Sequence, residues 1–90
     1  MKYLTRYEDL QVNDNQQAFD PTGASSITFE NYGDDDVIIN QGIKLDKGTS
    51  FSFTNQPYEV LKGTFKIQFA GIGVNPKVVI IKKFSTEATW

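Results

Sequence analysis

Three consecutive aspartates, Asp34-Asp35-Asp36, preceded by Glu30, are the densest group of side chains able to do chemistry in this sequence. Such carboxylates suit a hard cation, because calcium takes roughly six to eight oxygen ligands from carboxylates and backbone carbonyls. Adjacent residues of one turn point in different directions, however, and no EF-hand spacing with a closing Glu surrounds them. Aspartate also populates turns simply because its carboxylate hydrogen-bonds nearby backbone. A solvated turn is therefore expected at Asp34, Asp35 and Asp36, with a cation site as its alternative and no cofactor.

Other chemistry has little to stand on. The 90 residues include neither His nor Cys. That removes the commonest general base, the commonest transition-metal ligand, the thiol nucleophile and any disulfide or zinc-ribbon scaffold. Ser–Lys chemistry and a carboxylate pair remain chemically open, but no spacing assembles either. Gly71-Ile72-Gly73 lies between two predicted strands, whereas a phosphate cradle follows a strand and opens a helix. The chain is expected not to be an enzyme.

Two binding chemistries are open to the aromatic residues. Phe51, Phe53, Tyr58, Phe65 and Phe69 offer faces for stacked bases, with Lys62, Lys66, Lys77, Lys82 and Lys83 as the matching charges. Yet these phenylalanines alternate with polar residues, as core residues of strands do. Net charge is −2, and nucleic-acid binding draws much of its affinity from neutralised phosphates. A core role is expected, and nucleic acid is not an expected partner. Tyr32 and Trp90, at a loop and a terminus, are the residues placed to stack on a sugar; such residues also serve as packing caps or subunit contacts.

The elements that would position these residues are strands. Ile, Val, Thr and the aromatic residues make up 34 of the 90 positions, and Leu with Ala only 8, a balance that favours pleated, half-buried surfaces over helices. Strands are predicted over Ser25–Asn31, Val37–Asn40, Ile43–Leu45, Thr49–Thr54 (with Phe51 and Phe53 inward), Tyr58–Leu61, Thr64–Ala70 and Lys77–Phe84. Their short connections favour antiparallel pairing. The predicted fold is all-β: a small antiparallel sandwich, jelly-roll or immunoglobulin-like, with a closed barrel left open. In the last strand Val78 and Ile80 face one way and Val79 and Ile81 the other, so it is either central or covered by another subunit.

Residues 1–24 read as an attachment segment preceding a domain over 25–90. Tyr3, Leu4, Tyr7, Leu10 and Val12 are its apolar anchors. The spacing of Leu4, Tyr7 and Leu10 would suit a short helix, but without a good cap an extended arm is favoured, docked on this domain or a neighbour. Residues 1–46 carry three basic and nine acidic groups, net −6, and residues 47–90 carry six and two, net +4. Copies could meet acidic face to basic face; a fold interleaving the halves would cancel the asymmetry.

The runs Ile27-Thr28-Phe29-Glu30-Asn31, Gly33, Val37-Ile38-Ile39-Asn40, Gly42-Ile43-Lys44-Leu45 and Gly48-Thr49-Ser50-Phe51-Ser52-Phe53 resemble small β-sandwich structural proteins of tailed bacteriophages. The resemblance covers residues 25–84, rests on strand and turn order, and brings no active-site residue. It implies a virion component such as a capsid decoration (auxiliary) protein, head-fibre base or tail-ring subunit, assembled in the host cytoplasm. The expected function is non-enzymatic assembly with copies of itself or other virion proteins. Its contacts are expected at Tyr3, Leu4, Tyr7, Leu10 and Val12 and at Val79 and Ile81. Deleting residues 1–20 is expected to leave a folded core and abolish assembly. A glycan or host-surface binding module and a single-stranded nucleic-acid-binding barrel are the alternatives. No apolar run is long enough to span a bilayer, and Met1–Glu8 lacks the apolar stretch of a secretory signal.

Overall fold

The computed structural model describes residues 2–56, 59–71 and 73–87. They form eight strands: β1 (Tyr3–Val12), β2 (Gln16–Phe19), β3 (Ser26–Asn31), β4 (Val37–Ile39), β5 (Ile43–Leu45), β6 (Ser50–Thr54), β7 (Phe65–Phe69) and β8 (Val78–Glu87). Alternation is the local cause of most of them. Ile27, Phe29 and Asn31 are buried on one face of β3 while Ser26, Thr28 and Glu30 are half-buried on the other. Phe65, Ile67 and Phe69 are buried on β7, with Lys66 and Gln68 turned out.

The strands make two antiparallel four-stranded sheets, ordered β1-β8-β3-β6 and β2-β7-β4-β5. They are separate sheets packed face to face, a sandwich and not a closed barrel. Ile27, Phe29, Val78 and Ile80 from the first sheet meet Val37, Ile39, Leu45, Phe65, Ile67 and Phe69 from the second in one apolar core. Phe29 spans the two, its ring 5.4 Å from Phe65 and 6.2 Å from Phe53. Both are edge-on contacts that suit the ring quadrupole. Among the described residues no helix is long and apolar enough to cross a membrane.

β8 occupies an interior position, with β1 on one side and β3 on the other. Its two apolar faces follow from that place: Val78 and Ile80 are buried, and Val79 and Ile81 are half-buried between Gln11, Asp9, Glu30 and Thr28 of the flanking strands. Residues 3–19 are extended, and they lie on their own domain as the outer strand of each sheet. β1 pairs with β8 over all ten rungs, from Tyr3–Glu87 to Val12–Val78, without a register shift. β2 pairs with β7 through a bulge between Gln16 and Phe19.

Six predicted strands from Ser25 onward are present, with ends displaced by up to three residues. Glu59, Val60 and Leu61 form no strand. Leu61 instead reaches the core from a loop, its N–H donating to the Ala24 carbonyl at 2.7 Å; Tyr58 lies outside the described residues. Phe51 points to the inner face but is 39% exposed, because β6 is an edge strand with little of the second sheet over it. The charge asymmetry is dispersed by topology. Acidic-half strands β1 and β3 flank basic-half β8, and β2 and β4 flank β7, so no face keeps the −6 or the +4 of its sequence half.

Candidate functional site

The acidic turn sits where β3 leaves the first sheet for β4. Each aspartate there has its own protein partner. Asp34 Oδ1 accepts the Asn75 N–H at 2.8 Å and Oδ2 the Val74 N–H at 3.1 Å. Asp35, 2% exposed, accepts the Gly71 N–H at 2.8 Å. Asp36 lies 3.6 Å from the Lys44 ammonium. The turn thus fastens the β7–β8 connection, and its carboxylates diverge as adjacent residues must. Among the described residues no three acidic side chains gather into a cation site. The N–H of Asn75, helped by that of Val74, holds the Asp34 carboxyl below the usual aspartate range, because both bonds favour the charged form.

Two residues unmarked by charge complete this end. The Asn31 amide is 1% exposed; its Nδ2 donates to the Asp35 carbonyl at 2.8 Å and the Leu45 carbonyl at 3.0 Å, and its Oδ1 accepts the Gly33 N–H at 3.1 Å. Gly33 lies so close to the other connection that a Cβ would stand 2.4 Å from both the Asn75 carbonyl and the Lys77 nitrogen. A shallow open recess of about 460 Å³ lies beside them. Its polar rim is tied to backbone: the Asn13 amide donates to the Pro76 carbonyl at 3.0 Å, and Asn15 Oδ1 accepts the Phe69 N–H at 2.8 Å. This end is a hydrogen-bonded closure of the sandwich.

The aromatic residues divide. Phe65 and Phe69 are core, at 8% and 9% exposure, and Phe53 is half-buried with its ring 5.0 Å from both Phe51 and Phe65. The stacking surface considered from sequence is therefore mostly interior. Tyr32 is exposed, and a hydrogen bond to Glu30 followed by that carboxylate's charge pushes its phenol pKa up. Trp90 lies outside the described residues.

The seven interface candidates are brought onto one pair of strands but onto two faces. Strand alternation puts Tyr3 and Tyr7 on the outer face with Val79 and Ile81 of β8, and Leu4, Leu10 and Val12 on the face toward the second sheet. Val12 is 6% exposed in its own core and Leu10 packs against that core. The available surface is thus Leu4 and Tyr7, 52% and 63% exposed. On the same face as Leu4 stand two charged residues that no sequence signal marks out. The Arg6 guanidinium lies 4.4 Å over the Phe84 ring and pairs with Glu8, and Glu8 is 3.9 Å from the Lys82 ammonium.

β3 covers β8 only from Val78 to Lys83. The last four rungs, Tyr3–Glu87 to Arg6–Phe84, continue as a two-stranded ribbon. The molecule is accordingly long, 51 × 20 × 16 Å, and its radius of gyration is 14.1 Å against about 12 Å for a compact domain of this length. Comparison with protein-family models, with curated proteins and with solved structures gives no match.

Proposed function

We propose that this chain is a non-catalytic structural subunit that works through protein–protein contacts, a virion component of the capsid-decoration or auxiliary kind that its resemblance to small phage sandwich proteins implies. The observation that supports the reading is the β1–β8 ribbon. It extends past the sandwich, carries exposed Leu4 and Tyr7, and among the described residues makes β1 the outer strand of its sheet. Meanwhile Asn13, Asn15, Asn31, Asp34 and Asp35 bond the protein's own backbone, an arrangement that closes a fold more readily than it receives a substrate. Peptide mass spectrometry of purified particles from the host carrying the gene tests the proposal. The chain is expected in amounts comparable to a structural protein; its absence from particles overturns the reading.

A further inference from the structure

We propose that β1 pairs with β1 of a second copy, antiparallel and centred on Tyr7, joining two four-stranded sheets into one continuous sheet. The proposal rests on the assembly reading and names its partner.

Among the described residues β1 ends its sheet, and its ladder there is to β8 alone. Edges of this kind are normally blunted by shortness, proline, bulges or inward-facing charge. β1 has ten residues, Tyr-Leu-Thr-Arg-Tyr-Glu-Asp-Leu-Gln-Val, with no proline, no glycine and no register shift. Arg6 and Glu8 on the inner face and Asp9 on the outer remain as deterrents, and the order of the first two reverses their effect.

About Tyr7 the strand is self-complementary. An antiparallel copy centred there sets Arg6 opposite the partner's Glu8, Leu4 opposite the partner's Leu10, Thr5 opposite the partner's Asp9 and Tyr7 opposite the partner's Tyr7, each pair occurring twice except the last. Arg6 and Glu8 already lie side by side within one copy. Two copies would close a square in which each charge has opposite charges as its neighbours. Leu4, 52% exposed on the ribbon, would cover the partner's Leu10 where that residue joins its own core. Cross-strand pairs of opposite charge and of apolar side chains are the units that stabilise sheets. Moving the axis one residue either way sets Arg6 on Arg6 or Glu8 on Glu8, so charge selects the register as well as the partner. A two-fold contact of this sort is closed and self-limiting. An interface of one strand per copy is smaller than the usual 800 Å² or so per partner, so the dimer is expected to dissociate on dilution through the micromolar range.

Sedimentation velocity on the full chain over a dilution series tests the pairing, with circular dichroism to confirm folding. Wild type is expected to dimerise at the high end. Arg6→Glu and Glu8→Arg, both at exposed positions, should each weaken the dimer by about a hundredfold through like charges set face to face. An equimolar mixture of the two variants should dimerise again, because each then offers what the other lacks, a restoration that the pair within one chain cannot produce. Tyr7→Asp, which leaves Arg6 and Glu8 intact, should also give monomers. Wild-type monomers at every concentration, charge variants that dimerise like wild type, or a mixture that stays monomeric would each overturn the register. A chain that is monomeric in solution yet abundant in particles would remove this pairing while leaving the assembly reading in place.

Discussion

The carboxylate of Asp34 shows how a residue that looks suited to chemistry becomes architecture. Its bonds from the N–H groups of Asn75 and Val74 depress its pKa below 3.8, so the folded state binds a proton less readily than the unfolded chain. The linked stability is fully present above the unfolded value and is lost as pH falls through the lowered folded one. In acid the hold of Asp34 on Val74 and Asn75 should therefore weaken. The Val74 and Asn75 amide resonances are expected to titrate together with a midpoint below the ordinary aspartate value, and Asp34→Asn should abolish that titration. A midpoint at or above 3.8 would contradict the assignment. Asp34-Asp35-Asp36 is legible in the sequence as a turn, because Asp favours turns locally. What it fastens is not legible: the partners are backbone N–H groups some forty residues downstream, and no residue type marks a backbone donor. The same holds for Asn31, whose buried amide reads in sequence only as the end of a strand.

At the scale of elements, legibility follows one-sided burial. β3 and β7 could be read because each buries alternate residues, and β4 and β8 because both are interior to their sheets and richly apolar. β1 could not: most of it is exposed on both faces, so polar and apolar residues carry no period. β2 is four residues long with a bulge inside it. In the β4–β5 turn Asn40 and Gln41 are the positive-φ residues, at 53° and 64°, with the Gly42 N–H on the Ile39 carbonyl at 3.2 Å. That is type I′ geometry, which matches the twist of a hairpin and tolerates Asn well. Asn40 is fixed further by Lys66, whose N–H donates to its Oδ1 at 2.9 Å and whose carbonyl accepts its N–H at 2.9 Å. Gln41 has no such compensation for a left-handed conformation costing about 1 kcal/mol. Gln41→Gly is therefore expected to stabilise the fold by about 0.5–1 kcal/mol, seen as a melting temperature raised by a few degrees. An unchanged or lowered temperature would show that the turn is not strained.

For the whole molecule, the sharpest test concerns residues 1–20. As an arm they could be removed without harm to the domain; as β1 and β2 they are one outer strand of each sheet. Truncation would withdraw Val12 from the core together with Leu10 and Phe19, which pack against it. Full burial of one such side chain is worth about 1.5–3 kcal/mol, so the three together are worth about 5 kcal/mol even with partial exposure discounted. A domain of this size has about 5–15 kcal/mol of net stability in all. The cut would also bare the ladder edges of β8 and β7, the first with Val79 and Ile81 beside it, as new surfaces for aggregation. A chain beginning near Pro21 is therefore expected to lose its cooperative thermal transition and bind an apolar dye, whereas Tyr7→Asp should melt as wild type does. The comparison separates two roles of one strand. The side of β1 facing β8 holds the domain together, and the side facing away is the one proposed to meet another copy. If the truncated chain melted cooperatively near the wild-type temperature, β1 would be dispensable to the fold and residues 1–24 would be a separable arm.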